Sequence, residues 1–247
     1  MKINKILSVG CSNTVGVNLE EEIGIFGYLR KQFTEPYDKD LDDKVNQYRK
    51  ENNFSTLISK HFNSECINLG VSGASNERII YTATNFLEKE DVDLVLINLS
   101  GQARQTFQHI SGKIFDLDLS YTTEHLYEQA KITDKGFTEF IDFYKDYLMT
   151  YYVTHEKQIN LYKYICLYLE NKKIPYLISQ TVPTDFKLSD FTDKSIDITF
   201  DEYNEKVGRK RAIGNHWLSD SHKAWSEILI YKIKELYGTE FVSHKDI

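Results

Sequence analysis

Near its start the chain runs Ile6-Leu7-Ser8-Val9-Gly10 and then turns small and polar at Cys11-Ser12-Asn13-Thr14. The same succession returns twice. Cys66-Ile67-Asn68-Leu69-Gly70 leads into Val71-Ser72-Gly73-Ala74-Ser75-Asn76, and the apolar run Asp93 to Leu99 breaks at Ser100-Gly101-Gln102. A short apolar run, a turn of hydrogen-bonding residues and a helical pattern beyond it describe a strand, a sharp turn and a helix start. The run to Leu99 shows no alternation, as in a strand covered on both faces. Strands separated by helices in this way predict an α/β fold, with a mostly parallel sheet between helices. In such a sheet ligands collect beyond the carboxyl ends of the strands, where helix N-termini converge.

The rest of the chain is read on the same terms. A helix is expected over Val17–Phe33, with Glu20, Glu21 and Glu22 in its first turn. Thr34 to Asn53 is charged and apolar-poor and reads as a solvated insertion or loop. Helices are expected over Phe54–Phe62 and Glu77–Leu87. Gln105 to Gly136 has no clean period and reads as an irregular excursion over the active edge, with a turn at Tyr121-Thr122-Thr123. Phe137 to Asn171 predicts two helices with a break near Thr154-His155. A fourth strand is expected over Ile174–Gln180, a polar irregular stretch over Thr181–Val207, and a closing helix from about Ser221 to Tyr237.

A chain of 247 residues can hold one large α/β domain or two small ones. With no solenoid repeat and no second core in view, one domain over 1–247 is expected, with insertions at 34–53 and 105–136. The net charge of -7 argues against a general nucleic-acid binder. Cys11, Cys66 and Cys166 have no C-x-x-C spacing, so neither a disulfide framework nor a zinc site is suggested, and a reducing compartment is the simpler inference. No apolar run approaches membrane-spanning length and no signal peptide is visible, so a cytoplasmic location is expected. Export by another route, or incorporation in a larger particle, stays open. The 17 Tyr and 14 Phe offer rings that could stack on sugars, beside the plainer reading of core and half-buried aromatics.

Acyl transfer needs a nucleophilic hydroxyl, an imidazole to take its proton and donors aimed at the oxyanion. Ser12, at the first strand end, and His216, in the loop before the last helix, are the candidates for the first two. Gly10-Cys11-Ser12-Asn13-Thr14 resembles the Gly-Asp-Ser block of the SGNH (GDSL-like) hydrolase superfamily. Asn68-Leu69-Gly70-Val71-Ser72-Gly73-Ala74-Ser75 resembles its second block, Val95 to Gln102 its third, and His216-Trp217-Leu218-Ser219-Asp220-Ser221-His222-Lys223-Ala224-Trp225 its closing block. The resemblance implies a three-layer α/β/α sandwich with a flavodoxin-like sheet. It also implies hydrolysis of an acyl ester, such as an O-acetyl group on a carbohydrate, without cofactor or metal. The partner would be a small-molecule or glycan ester. Ser12 would be the nucleophile and His216 the base. The oxyanion would be met by backbone N–H groups of Ser12 and Gly73 and by Gln102, with Ser100 as the substitute for Gln102. Arg104 and Asn76 would contact substrate.

Three positions depart from that pattern. Cys11 stands where the block has aspartate, Gln102 where it has asparagine, and Ile213 where an aspartate precedes the histidine by three residues. A serine–histidine dyad stays workable, since the acid serves orientation and tautomer rather than taking the proton. The base would then be held by a backbone carbonyl, by Asn215 or by an acid from elsewhere in the chain. Each residue also has a plainer role: Ser12 as a helix cap, Asn13 and Asn76 as turn braces, Arg104 in a surface ion pair, His222 as packing beside the site. Two other functions fit the same turns. One is a binding module whose Ser12-Asn13-Thr14-Val15-Gly16 holds a phosphate, as in flavodoxin-type loops; the other is a silent scaffold that binds glycan or serves assembly.

Overall fold

Alternation along four strands sorts the apolar residues onto two faces. The strands are β1 (Lys5–Gly10), β2 (Glu65–Asn68), β3 (Leu94–Leu99) and, later in the chain, β6 (Tyr176–Gln180). They form one sheet in the order β2-β1-β3-β6, every pair parallel, with Leu7 opposite Ile67 and Val95, and Ile97 opposite Ile178. The computed structural model describes residues 2–26, 28, 37–108, 114–119, 135–148, 151–213 and 216–238.

On one face Leu7, Val9, Val95, Ile97 and Ile178 meet two helices, α4 (Asn76–Leu87) and α6 (Tyr151–Asn171), through Ile79, Ala83, Tyr162, Ile165 and Leu169. On the other, Ile6, Leu94, Leu96 and Leu177 meet α3 (Phe54–Phe62) and α8 (Ser219–Tyr237), through Phe54, Ile58, Trp225, Leu229 and Ile233. The fold is therefore a three-layer α/β/α sandwich. Each fully buried Leu or Ile side chain contributes about 1.5–3 kcal/mol, so the two cores together outweigh any single polar contact. Among the described residues, no helix is long and apolar enough to cross a membrane.

Several expected elements differ. The helix over Val17–Phe33 is not continuous: Gly16, Asn18 and Gly24 take left-handed φ of 85°, 68° and 79°. Left-handed residues end a right-handed helix, so among the described residues this stretch holds α1 (Ser12–Val15) and a 3-10 turn over Leu19–Ile23, with Tyr28 helical beyond Gly24; residues 27 and 29–36 lie outside the described ones. The stretch read as a solvated loop holds a helix, α2 (Lys39–Asn52), capped by the Asp38 side chain. It packs through Val45 and through an ion pair rather than an apolar stripe, which hides it from periodicity. Arg49, almost fully buried, gives its guanidinium to the buried Glu20 carboxylate at 2.8 and 2.6 Å.

The excursion after β3 opens with an antiparallel hairpin, β4 (Arg104–Gln108) and β5 (Ile114–Asp118). Asp116 docks it on the start of α4 by pairing with Arg78, and within the hairpin it accepts from Thr106 Oγ1 at 2.7 Å. The turn expected at Tyr121-Thr122-Thr123 falls outside the described residues. No break falls at Thr154-His155 itself. The α5 helix (Lys135–Phe143) passes into a π turn at Tyr144–Leu148, and Thr154 and His155 lie inside α6. The stretch over Thr181–Val207 is not wholly irregular: it holds a 3-10 turn at Leu188–Asp190 and α7 (Phe200–Lys206), which starts on a capping box of Thr199 and Glu202.

Removing one partner of a buried ion pair costs about 3–5 kcal/mol, because the other charge is left buried. Urea unfolding of Arg49→Ala is expected to show a loss of that size. A loss below about 1 kcal/mol, the range of exposed pairs, would mean Glu20 reaches water.

Candidate active site

The turn after β1 is tight enough to dictate its first residue. A Cβ on Gly10 would collide with Thr14 Oγ1 and come within 2.8 Å of the Asn98 carbonyl oxygen. Glycine therefore lets α1 fold back against β3, and Ser12, at the first position of α1, is placed just beyond the strand end. Beneath it a buried network joins three strand ends. Asn98 Nδ2 donates to Thr181 Oγ1 at 2.9 Å, Ser179 Oγ donates to Asn98 Oδ1 at 3.1 Å, and Cys11 Sγ lies 3.3 Å from Thr181 Oγ1. Cys11 thus braces the turn where the resembled block has aspartate.

The loop ahead of α8 brings the imidazole to the same place. His216 Nε2 lies 2.8 Å from Ser12 Oγ across 204 positions of sequence. Its carbonyl accepts from the Ala212 N–H at 2.8 Å, and Arg211 and Trp217 form an antiparallel bridge around it. Trp217 Nε1 donates to Asp201 Oδ1 at 2.6 Å, and the Arg211 guanidinium sits 4.2 Å from the Trp217 ring centre. On the outer side, Glu21 accepts from the Ile213 N–H at 2.8 Å and Glu22 from the Ser219 hydroxyl at 2.9 Å. Gly214 and Asn215 lie outside the described residues, so the expected role of Asn215 does too.

No protein-family model matches the sequence, and no curated protein matches it. Solved structures do. A catalytic mutant of an acetylxylan esterase from Geobacillus stearothermophilus covers 99% of this chain and 100% of its own, at 12% identity and a TM-score of 0.46. A carbohydrate esterase family 2 enzyme with a carbohydrate-binding domain, from Corynascus thermopiles (Myceliophthora fergusii), covers 96% of this chain and 67% of its own, at 12% identity and a TM-score of 0.44. A member of the lipolytic protein G-D-S-L family from Veillonella parvula covers 96% and 99%, at 13% identity and a TM-score of 0.35. The chain is similar to these proteins.

Ser12 and His216 line a cavity of about 300 Å³. The β1 turn gives it Cys11 and Asn13, the β3 end Ser100 and Gly101, the β6 end Thr181 and Val182, and the hairpin Arg104 and Asp118; Asp201 and Arg211 complete the wall. Of the expected oxyanion groups, Ser100 is on this wall, while Gly73 and Gln102 are not among the residues lining it. Ser100 is engaged: its N–H donates to Asn76 Oδ1 at 2.7 Å and its hydroxyl accepts from Arg104 Nη1 at 2.7 Å. Gln102 Nε2 is buried with no acceptor among the described residues. Of the expected substrate contacts, Arg104 reaches the cavity, fixed by Ser100 and by Asp118 Oδ2 at 3.3 Å. Asn76 does not; it is fully buried, tying the β3 end to Gln158 at 2.8 Å on α6.

Thr181, Asp118, Asp201 and Arg211 were not singled out from the sequence. Only Thr181 carried a signal, as the residue following the fourth strand of a sheet whose other ends had been read as functional.

His222 is a packing residue. Fully buried, it stacks on Phe54 at 5.8 Å and accepts the Phe54 N–H on Nδ1 at 3.3 Å. Burial pushes its pKa down to about 3, with the nearby His216 adding to the effect. The folded state thus refuses a proton that the unfolded chain takes up below its ordinary value of 6.5. Stability is full above that pH and drains as pH falls toward 3. NMR is expected to show no His222 titration from about pH 8 to about pH 5, and His222→Asn should make the acid-side loss of the urea midpoint shallower.

Proposed function

We propose that the protein is a serine ester hydrolase of the SGNH kind, with Ser12 as nucleophile and His216 as general base. The observation that carries this reading is the 2.8 Å approach of His216 Nε2 to Ser12 Oγ, inside a cavity at the carboxyl edge of the sheet. With neutral imidazole, Nε2 accepts the hydroxyl proton as Oγ bonds to the acyl carbon, and the carbonyl electrons move onto oxygen. Collapse of that intermediate expels the alcohol, which takes the proton from His216. Water, deprotonated by the same imidazole, then releases the acid and restores Ser12.

The N–H of Ser12 is the first donor we assign to the oxyanion. Gly73 and Gln102, implied by the motif resemblance, are not among the residues lining the cavity and would join it on movement of their turns. The unsatisfied Gln102 amide favours such a role, because a buried donor without a partner costs about 1–3 kcal/mol.

For substrate we propose an O-acyl group on a hydroxyl-rich alcohol such as a carbohydrate, acetyl among the candidates. The cavity is at the small end of ligand sites, which start near about 300 Å³, so it suits a short acyl chain. Asn13, Arg104, Asp118 and Thr181 on its wall offer the mixed donors and acceptors that sugar hydroxyls pair with.

Release of nitrophenol from p-nitrophenyl acetate tests the reading. We expect turnover that Ser12→Ala abolishes and that His216→Ala lowers by about 10²- to 10⁴-fold. Equal release from the wild type and Ser12→Ala would discard the nucleophile, and no release from either would favour a glycan-binding scaffold.

A further inference from the structure

A base must be held as well as placed, and at the position where the resemblance implies an aspartate this chain has Ile213, 86% exposed. The carboxylate nearest in function stands elsewhere. Asp201, in the first turn of α7, lines the same cavity as Ser12 and His216 and reaches the base loop at two points. Its Oδ1 accepts the Trp217 indole N–H at 2.6 Å, one residue after His216, and its Oδ2 lies 3.5 Å from Arg211 Nη2. Arg211 in turn covers the Trp217 ring and flanks Ala212, whose N–H closes the loop on the His216 carbonyl. On its other side the Asp201 N–H donates to the Thr181 carbonyl at 2.9 Å, and the Thr181 hydroxyl touches Cys11, next to Ser12. One residue is thus tied to both halves of the pair.

We infer that Asp201 is a positioning residue for His216: acting through Trp217 and Arg211, it fixes the loop so that Nε2 faces Ser12 Oγ. The inference rests on the Ser12–His216 reading. It differs from a triad acid in acting on the loop rather than on the ring. Glu205 shares Arg211 at 2.6 Å, but it is exposed and has no contact with the indole among the described residues. Among the described residues, Glu21 and Glu22 tether the loop at its outer ends, Ile213 and Ser219.

A misplacement of about 1 Å can cost about 10²-fold in rate. We therefore expect Asp201→Ala to lower kcat on p-nitrophenyl acetate by about 10- to 100-fold with KM unchanged. Asp201→Asn should recover most of the loss, because an amide oxygen still accepts from the indole. Trp217→Phe, which keeps a ring under Arg211 and deletes the donor, should fall in the same direction and serves if Asp201→Ala does not fold. Hydrogen exchange supplies a readout that needs no turnover: the Ala212 amide should exchange faster in both variants, while β1 and β3 amides keep their protection. Wild-type kcat in Asp201→Ala and Trp217→Phe, or unchanged protection at Ala212, would overturn the inference. Should the wild type show no Ser12-dependent turnover, the esterase reading falls and the exchange at Ala212 alone decides whether the clamp exists.

Discussion

A sheet covered on both faces holds few polar side chains away from its ends, and the site of this molecule follows from how one end is closed. Asn98 is the keystone. Its amide reaches Thr181 after β6 and receives the hydroxyl of Ser179 within it, while Thr181 meets Cys11 after β1. In a low-dielectric interior such a network holds only when its members are satisfied, which fixes the relative heights of β1, β3 and β6. Ser12 inherits that precision from the turn it sits on, and the loop carrying His216 is then docked against it by Asp201.

The fold was legible because two periodicities do not overlap. Short apolar runs closing on Gly10 and Gly70 read as strands, the unbroken run to Leu99 as one covered on both faces, and the helices over Phe54–Phe62 and Asn76–Leu87 stood within a residue of where their spacing put them. The meeting of the first strand end, the third strand end and the last loop was readable from topology alone, since a parallel sheet delivers them to one edge. What followed Gly16 was not. Asn18 in a left-handed conformation leaves no pattern in a chain rich in asparagine, and the three consecutive glutamates looked like a helix start. They are separate anchors instead, Glu20 to Arg49, Glu21 to the Ile213 backbone and Glu22 to Ser219.

The cavity wall beyond the motifs was hidden for a related reason. Arg104 and Asp118 face each other across a hairpin that short apolar residues did not announce, and Asp201 and Arg211 matter through an indole rather than through proximity in sequence. Local propensity marks where an element begins, as Thr199 and Glu202 do for α7. It cannot mark which of its polar residues turns inward.

The pair formed by Glu20 and Arg49 gives α2 a significance its composition conceals. The region from 39 to 52 resembles an ornament, polar and lightly packed, of the sort an engineer would trim to shorten a scaffold. Yet it carries the counter-ion of an acid lodged beside the very turn that leads away from Ser12. Excision would remove both the counter-ion and the cover of that acid, so this appendage is a structural tenant of the interior, and minimal versions of the chain must either keep it or neutralise position 20 together with it.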